Sequence, residues 1–295
     1  MVCITYRRSW DLILAVAHTS QAVFYTVAAV LPFFHAGLVP VTFQVPNGRP
    51  GVNSTGYNIE ELFSANIVAI VAVFFYITGL FHALRAYMGE SIPGFDELLT
   101  NKAPQGSNEI LAKVATRRDR DRMLRWIEYS ISSTLMIYTI SLISGISDIY
   151  TLAGFGAANI AMVLFGMAGD LVKERSSMWY TFVMGSIAGI APWICILSQT
   201  IVLAIRVGAA ALPFTLSIVT TLFVLFFSFA VVEGVYIYSY TSVNKVDPEG
   251  KPQSGLRFVL EGEKTREQSE FAYQILSAVA KTTLGGLVAG AMLTV

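Results

Sequence analysis

Residues 277–286 read SAVAKTTLGG, within an apolar run covering 270–293. A run of that length suits an α-helix crossing the hydrocarbon core of a bilayer. Lys281 falls near its middle. A charged amine at that depth is costly, so it needs a partner and is expected to have a function. The composition agrees with a membrane setting: 54% of the 295 residues are hydrophobic and 14% charged, too apolar for an ordinary soluble domain.

Six more runs of similar length precede this one. The expected spans are 10–34, 62–87, 123–145, 152–172, 178–205, 212–240 and 270–293. Together they predict an all-α bundle of seven transmembrane helices, forming one membrane domain over 1–295. Residues 36–60, rich in Pro, Gly and Asn, read as a loop, as do 88–122, ending in the charge cluster ATRRDRDR, and 241–269. Within the last of these, LRFVLEG (256–262) reads as a short strand. The link between spans 4 and 5 is only KERSS. The apolar run after Arg7 and Arg8 is too long for a cleaved signal and suits a retained span.

Lysine and arginine are unevenly divided. One side holds 17, counting the N-terminus, the 2–3, 4–5 and 6–7 links, Arg85 and Arg125 at the opening of helix 3; the other holds two, Arg49 and Arg206. The positive-inside rule then puts the N-terminus in the cytoplasm and the C-terminus outside. That is the reverse of G-protein-coupled receptors and of ordinary microbial rhodopsins. Net charge is zero, which gives no hint of nucleic acid. Cys3 lies at a terminus and Cys195 inside an apolar run, so they form no disulfide framework. Asn53-Ser54-Thr55 reads equally as a glycosylation acceptor or a plain turn. No internal repeat suggests an inverted-repeat transporter.

The polar residues inside the spans carry the chemistry. Gln274, Ser277 and Lys281 share one face of helix 7. Helix 3 opens RWIEYSIS, with Glu128 one turn after Arg125, and Glu128, Ser132, Met136 and Thr139 share a face. Glu128 is the natural counter-charge for Lys281. At about 1.5 Å per residue, Lys281 lies roughly 16 Å beyond Glu270. Side-chain length and an earlier start of the span on helix 3 bring the two together. His18, His82 and Glu233 fall in the same half, so all five groups are expected in one inward-facing polar cavity. Each histidine also has a plain structural reading, as a hydrogen bonder between helices, and Glu233 has one as a side chain snorkelling to the interface.

A desolvated lysine forms Schiff bases with carbonyl compounds, and a nearby carboxylate favours the protonated imine. Pro192 and Trp193 on helix 5, with Phe223, Phe226, Phe227 and Phe229 on helix 6, offer a dry aromatic slot for a long apolar ligand. An intramembrane metal hydrolase of the same topology needs about three His or acid ligands. The chain has three histidines, His35 reads as a loop residue, and helix 7 has none.

The seven helices, RWIEYSIS in helix 3 and Ser277-x-x-x-Lys281 in helix 7 together resemble the heliorhodopsins, the rhodopsin family with a cytoplasmic N-terminus. The absence of tryptophan from helices 6 and 7 agrees. The resemblance implies a non-enzymatic photoreceptor carrying all-trans retinal on Lys281 as a protonated Schiff base, with Glu128 as counterion. It implies that Ser132 and Ser277 hydrogen-bond near the Schiff base, and that Arg125 sits below the counterion. Met136, Trp193 and Phe226 would line the polyene, with Tyr129 and Pro192 in the same pocket. His18 and His82 match the family's paired histidines, and Gln21 and Asn159 match further polar positions. Light would take retinal from all-trans to 13-cis and move a proton into the polar cavity, with a sensory output through an unidentified cytoplasmic partner. The resemblance also implies a homodimer in the lipid bilayer of the cell membrane. The family pattern does not require Glu233, which motivates a second expectation: light-gated or light-driven proton transport using Glu233 and Glu128. The glycines of helix 4 (Gly154, Gly156, Gly166, Gly169) suit close helix approach, either between copies or within one chain.

Overall fold

The computed structural model describes residues 2–31, 38–46, 57–87, 109–172, 175–208, 213–243 and 256–293. Seven helices account for most of them: α1 (Val2–Val30), α2 (Ile67–Tyr87), α3 (Glu109–Ile143), α4 (Ile149–Val172), α5 (Arg175–Val207), α6 (Pro213–Val243) and α7 (Leu256–Leu293). Two strands, β1 (Leu38–Pro46) and β2 (Tyr57–Asn66), stand between α1 and α2. With no water in the hydrocarbon core, each span has to satisfy its own backbone, and a helix does so.

Among the described residues, five helices are long and apolar enough to cross a membrane on composition alone: α1, α2, α4, α5 and α6. The other two, α3 and α7, carry the buried charges Arg122, Arg125, Glu128, Glu270 and Lys281. These charges turn away from lipid into the bundle, which lets such helices span. Consecutive helices pack side by side, and α3 also touches α5, α6 and α7. Hence α3 packs broadly on α2 and α4 and also reaches α5, α6 and α7. The largest apolar core holds Phe74, Phe75, Ile137, Ile140, Leu222 and Leu284. It occupies the half of the bundle where α1, α3 and α7 end. The buried charges occupy the half where those helices begin, called the starting end below.

Several boundaries differ from expectation. The residues expected to open the second span, 62–66, belong to β2, and α2 starts at Ile67. The 36–60 loop holds most of an antiparallel hairpin, in which Val41 faces Phe63 and Leu38 faces Asn66. Its strands alternate β-branched and aromatic residues (LVPVTFQVP), which suits a pleated ribbon. LRFVLEG is not a strand but the first turns of α7; among the described residues no strand is paired with it, and an edge without a partner leaves its backbone bonds unmade. The charge cluster 115–122 is likewise helical, inside α3. At 35 and 38 residues, α3 and α7 exceed the roughly 20 needed to span, so both overhang at the starting end. Asn53, Arg49 and His35 lie outside the described residues.

The α3–α4 turn is fixed by side-chain and backbone caps. Gly145, at φ 82°, takes the left-handed conformation that closes a helix. Ile146 N donates to Ser141 O (2.9 Å) and Gly145 N to Leu142 O (3.0 Å). Asp148 then caps α4 by accepting from Thr151 N at 2.8 Å. The hairpin is tied to this turn by Thr42 N donating to Ser147 O at 2.9 Å.

Candidate ligand pocket and proton site

Lys281 (2% exposed) and Glu128 (0%) are in direct contact, Nζ donating to Oε1. Three donors gather on that one oxygen: Nζ, Thr78 Oγ1 at 2.9 Å and Ser132 Oγ at 3.0 Å. Thr78 also accepts from Nζ at 2.7 Å, so its hydroxyl bridges the ion pair. The other oxygen, Oε2, has no hydrogen-bond partner among the described residues; Arg85 Nη2 stands 3.7 Å away. The helix periodicity read from the sequence explains the meeting. Glu128, Ser132 and Thr139 are all fully buried on one face of α3, and Gln274, Ser277 and Lys281 on one face of α7.

A histidine pair lies beside this ion pair. The rings of His18 and His82 stack at 5.7 Å. His82 Nδ1 is 2.8 Å from Asp11 Oδ1, so the carboxylate fixes the proton on Nδ1. His18 Nδ1 pairs with Gln21 Oε1 at 3.0 Å, and Gln21 Nε2 donates to Thr282 Oγ1 at 3.0 Å. That leaves His18 Nε2 buried with no partner among the described residues. Gln274 Nε2 reaches Asp11 at 3.5 Å.

Glu233 does not join this group. Its partner is Tyr273, whose hydroxyl donates to Oε2. It belongs to a second set of buried charges, among α3, α4, α6 and α7. There Arg122 donates to Asp170 Oδ1 (2.6 Å) and Glu270 Oε1 (3.0 Å), and Trp126 Nε1 donates to Asp170 Oδ2 (2.7 Å). Arg125 pairs with Glu270 (3.3 Å) and Asp170 (3.5 Å), not with Glu128. Its guanidinium lies between the rings of Trp126 (4.3 Å) and Tyr273 (4.2 Å). Glu233 is buried, which also removes the snorkelling reading.

Behind Nζ opens a cavity of about 140 Å³. A single water needs only roughly 10–15 Å³, so the space suits a larger occupant. Its walls include Tyr129, Ser132, Met136, Phe226, Ser277 and Glu233. Phe229, Met162 and Val163 add apolar wall, and Gly166 and Gly185 also line it. Trp193 backs Phe226 at 5.2 Å and Phe223 at 5.5 Å. Phe227 departs from expectation: at 59% exposed it turns out of the bundle. Pro192 is buried within α5. Asn159 ties α4 to α3, donating to Ser133 (2.7 Å) and Thr134 (3.0 Å). A buried amine with its counter-charge at the mouth of an apolar cavity is the donor set that a long apolar aldehyde requires, so these residues fit retinal.

Of the glycines of α4, three pack within the chain: Gly156 against Tyr138, Gly166 against Trp126 and Gly169 against Thr181. Among the described residues, nothing stands within 4 Å of where a side chain on Gly154 would begin. Cys195 is free and exposed. No group of three or more His, Cys, Asp and Glu placed to hold a metal occurs among the described residues.

Sequence reading missed Thr78, Arg85, Asp11, Asp170, Glu270 and Tyr273. Arg85 and Arg122 entered only the charge count. Asp11 and Asp170 sit at the ends of apolar runs, and an acid in that place was the available signal.

The heliorhodopsin family model matches residues 112–246, nearly all of α3 through α6 and just beyond, which bears out the resemblance read from the motifs. A crystal structure of thermophilic rhodopsin shares the fold at a TM-score of 0.53, covering 97% of this chain and 90% of that one. Identity to it is 13%, so the likeness speaks for the bundle alone. No curated protein matches the chain. The chain is a multi-pass integral membrane protein with the rhodopsin bundle.

Proposed function

On the premise of the heliorhodopsin match, we propose that this chain is a light-absorbing retinal photoreceptor, with all-trans retinal attached at Nζ of Lys281. The observation that carries this is the buried Lys281–Glu128 pair at the mouth of an aromatic cavity. The group supplies visible absorption and a double bond that isomerises in light. The chain's own residues do the rest. Glu128 Oε1 holds the proton at Nζ, and Thr78 and Ser132 orient that oxygen. Met136, Tyr129 and Phe226 keep water from the slot, with Trp193 behind them. Asn159 holds α4 to α3 while Pro192, lacking an N–H, leaves a backbone carbonyl of α5 unbonded.

When the proton leaves Nζ, the α3–α7 ion pair is lost, and helix packing on the starting end changes. The histidine pair, oriented by Gln21 and Asp11, takes up the proton. A cytoplasmic partner reads the change, with the N-terminus inside, as the 17-to-2 cation count favours. The setting is the cell membrane, and the output is sensory, not enzymatic. Gly154, open on α4, gives a second copy a place to approach, in line with a homodimer.

A second reading, light-gated or light-driven proton transport, is favoured by one observation: Glu233 lines the same cavity as Lys281. A buried carboxylate then flanks the space that Lys281 faces. Photocurrents from cells expressing the chain separate the readings. A current lost in Glu233→Gln makes it a conductor, and a silent wild type makes it a sensor.

The retinal reading itself is tested by a visible spectrum of protein expressed with all-trans retinal, beside Lys281→Ala. The expected result is a visible band, bleached by hydroxylamine and missing in the variant. Folded wild type without a band would remove this reading.

A further inference from the structure

Glu128 is asymmetric in a way that the Lys281 pair does not explain. All its hydrogen bonds fall on Oε1, and Oε2 faces a second cation, Arg85, at 3.7 Å. Arg85 is itself buried and is steadied by its own helix, Nε donating to Phe81 O at 3.4 Å. A buried arginine has no low-cost way to lose its charge. It therefore stays beside the carboxylate when Nζ becomes neutral. The nearby groups give the proton another destination. Because Gln21 Oε1 accepts from His18 Nδ1, the free lone pair of His18 is on Nε2, buried and unpartnered among the described residues.

We propose that Arg85 is a second counter-charge for Glu128, holding this carboxylate ionised when Lys281 Nζ gives up its proton, so that the proton passes to Nε2 of His18. The step balances: one N–H bond of Lys281 breaks, one N–H bond of His18 forms, the cation moves from Nζ to the imidazole, and Glu128 and Arg85 keep their charges. Arg85 touches Glu128 and not the ligand, so it is a positioning residue. This rests on the retinal reading for the trigger, but the Arg85–Glu128 coupling does not.

The test uses the full chain in membranes. Light-minus-dark infrared spectra are recorded with all-trans retinal added, for wild type, Arg85→Gln and Arg85→Lys. The protonated-carboxyl stretch of Glu128 is recognised by its displacement in Glu128→Asp. It should be absent in wild type, appear in Arg85→Gln and vanish again in Arg85→Lys. An equal Glu128 stretch in wild type and Arg85→Gln, or none in either, overturns the role of Arg85. In His18→Phe the loss of the Nζ proton should slow about a hundredfold, the scale of a positioned proton acceptor; an unchanged rate overturns the role of His18. Retinal-free protein supplies an independent reading. Melting temperatures of Arg85→Gln, Glu128→Gln and the double variant should be non-additive, and additivity overturns the coupling. Non-additivity in a protein that forms no pigment would leave the Arg85–Glu128 pair standing and remove the retinal reading alone.

Discussion

Glu128 and Arg125 lie one turn apart on α3, yet they face two differently built sets of buried charges. On the α1–α2–α7 side, Glu128 has one oxygen crowded by three donors and the other bare, and His18 Nε2 is bare as well. On the α4–α6–α7 side the acids are filled. Asp170 takes Arg122 on one oxygen and Trp126 and Arg125 on the other, and Glu270 takes both arginines. Acids held by several donors resist rearrangement, while bare acceptor atoms in a low-dielectric site leave a second arrangement within reach; the bare atoms of the second set, Arg125 Nε and Nη1, are donors and can accept no proton. On the proposed reading the first set moves a proton and the second holds helices together.

The sharpest way to break this comparison is to remove one acid from each side. Glu128→Ala leaves two cations, Lys281 and Arg85, buried without their acid, and should destabilise retinal-free protein by about 3–5 kcal/mol in thermal unfolding. Asp170→Ala should fall in the same range of about 3–5 kcal/mol. The two should then part company on rescue. Lys281→Met and Arg85→Met together with Glu128→Gln should recover most of the loss, since buried ion partners replaced by neutral groups of similar volume are often nearly neutral. Arg122→Met with Asp170→Asn should not, because Arg125, Trp126 and Glu270 still depend on that site. Equal rescue on both sides would erase the distinction.

Smaller changes sharpen it further. Tyr273→Phe deprives Glu233 of its donor and should cost about 1–3 kcal/mol of stability, with little effect on the visible band. Ser132→Ala removes one of three donors to Glu128 Oε1, worth about 0.5–1.5 kcal/mol. Its main readout should be colour, because the remaining donors reorient the counter-charge. A colour shift in Tyr273→Phe larger than in Ser132→Ala would mean that the second set, too, speaks to the ligand.

How much of this was legible follows the same line. Lys281 and Glu128 stood out because a charge in mid-span is conspicuous, and helical spacing put their polar neighbours on matching faces. Arg85, Arg122 and Asp170 were hidden by position: near the ends of spans, charges read as loop or interface chemistry, and only packing shows that they are buried. Glu233 was placed with the histidines because depth along a helix was known and rotation toward a neighbour was not. The hairpin was masked by the Pro, Gly and Asn between its strands, which overshadowed the alternation within them. LRFVLEG erred the other way: a short β-rich stretch was followed by helix formers, and the helix of α7 simply extended back through it.

The stitch between Thr42 and Ser147 has a consequence for biosynthesis. Its two ends are 105 residues apart, with α2 and α3 between them. A chain made from its N-terminus completes the hairpin long before its anchor exists. Docking has to wait until the third helix has crossed the membrane and its capped turn has formed. The hairpin thus reports that the first half of the bundle is complete, and a variant that weakens the anchor, such as Asp148→Ala, should delay that moment more than it loosens the finished protein.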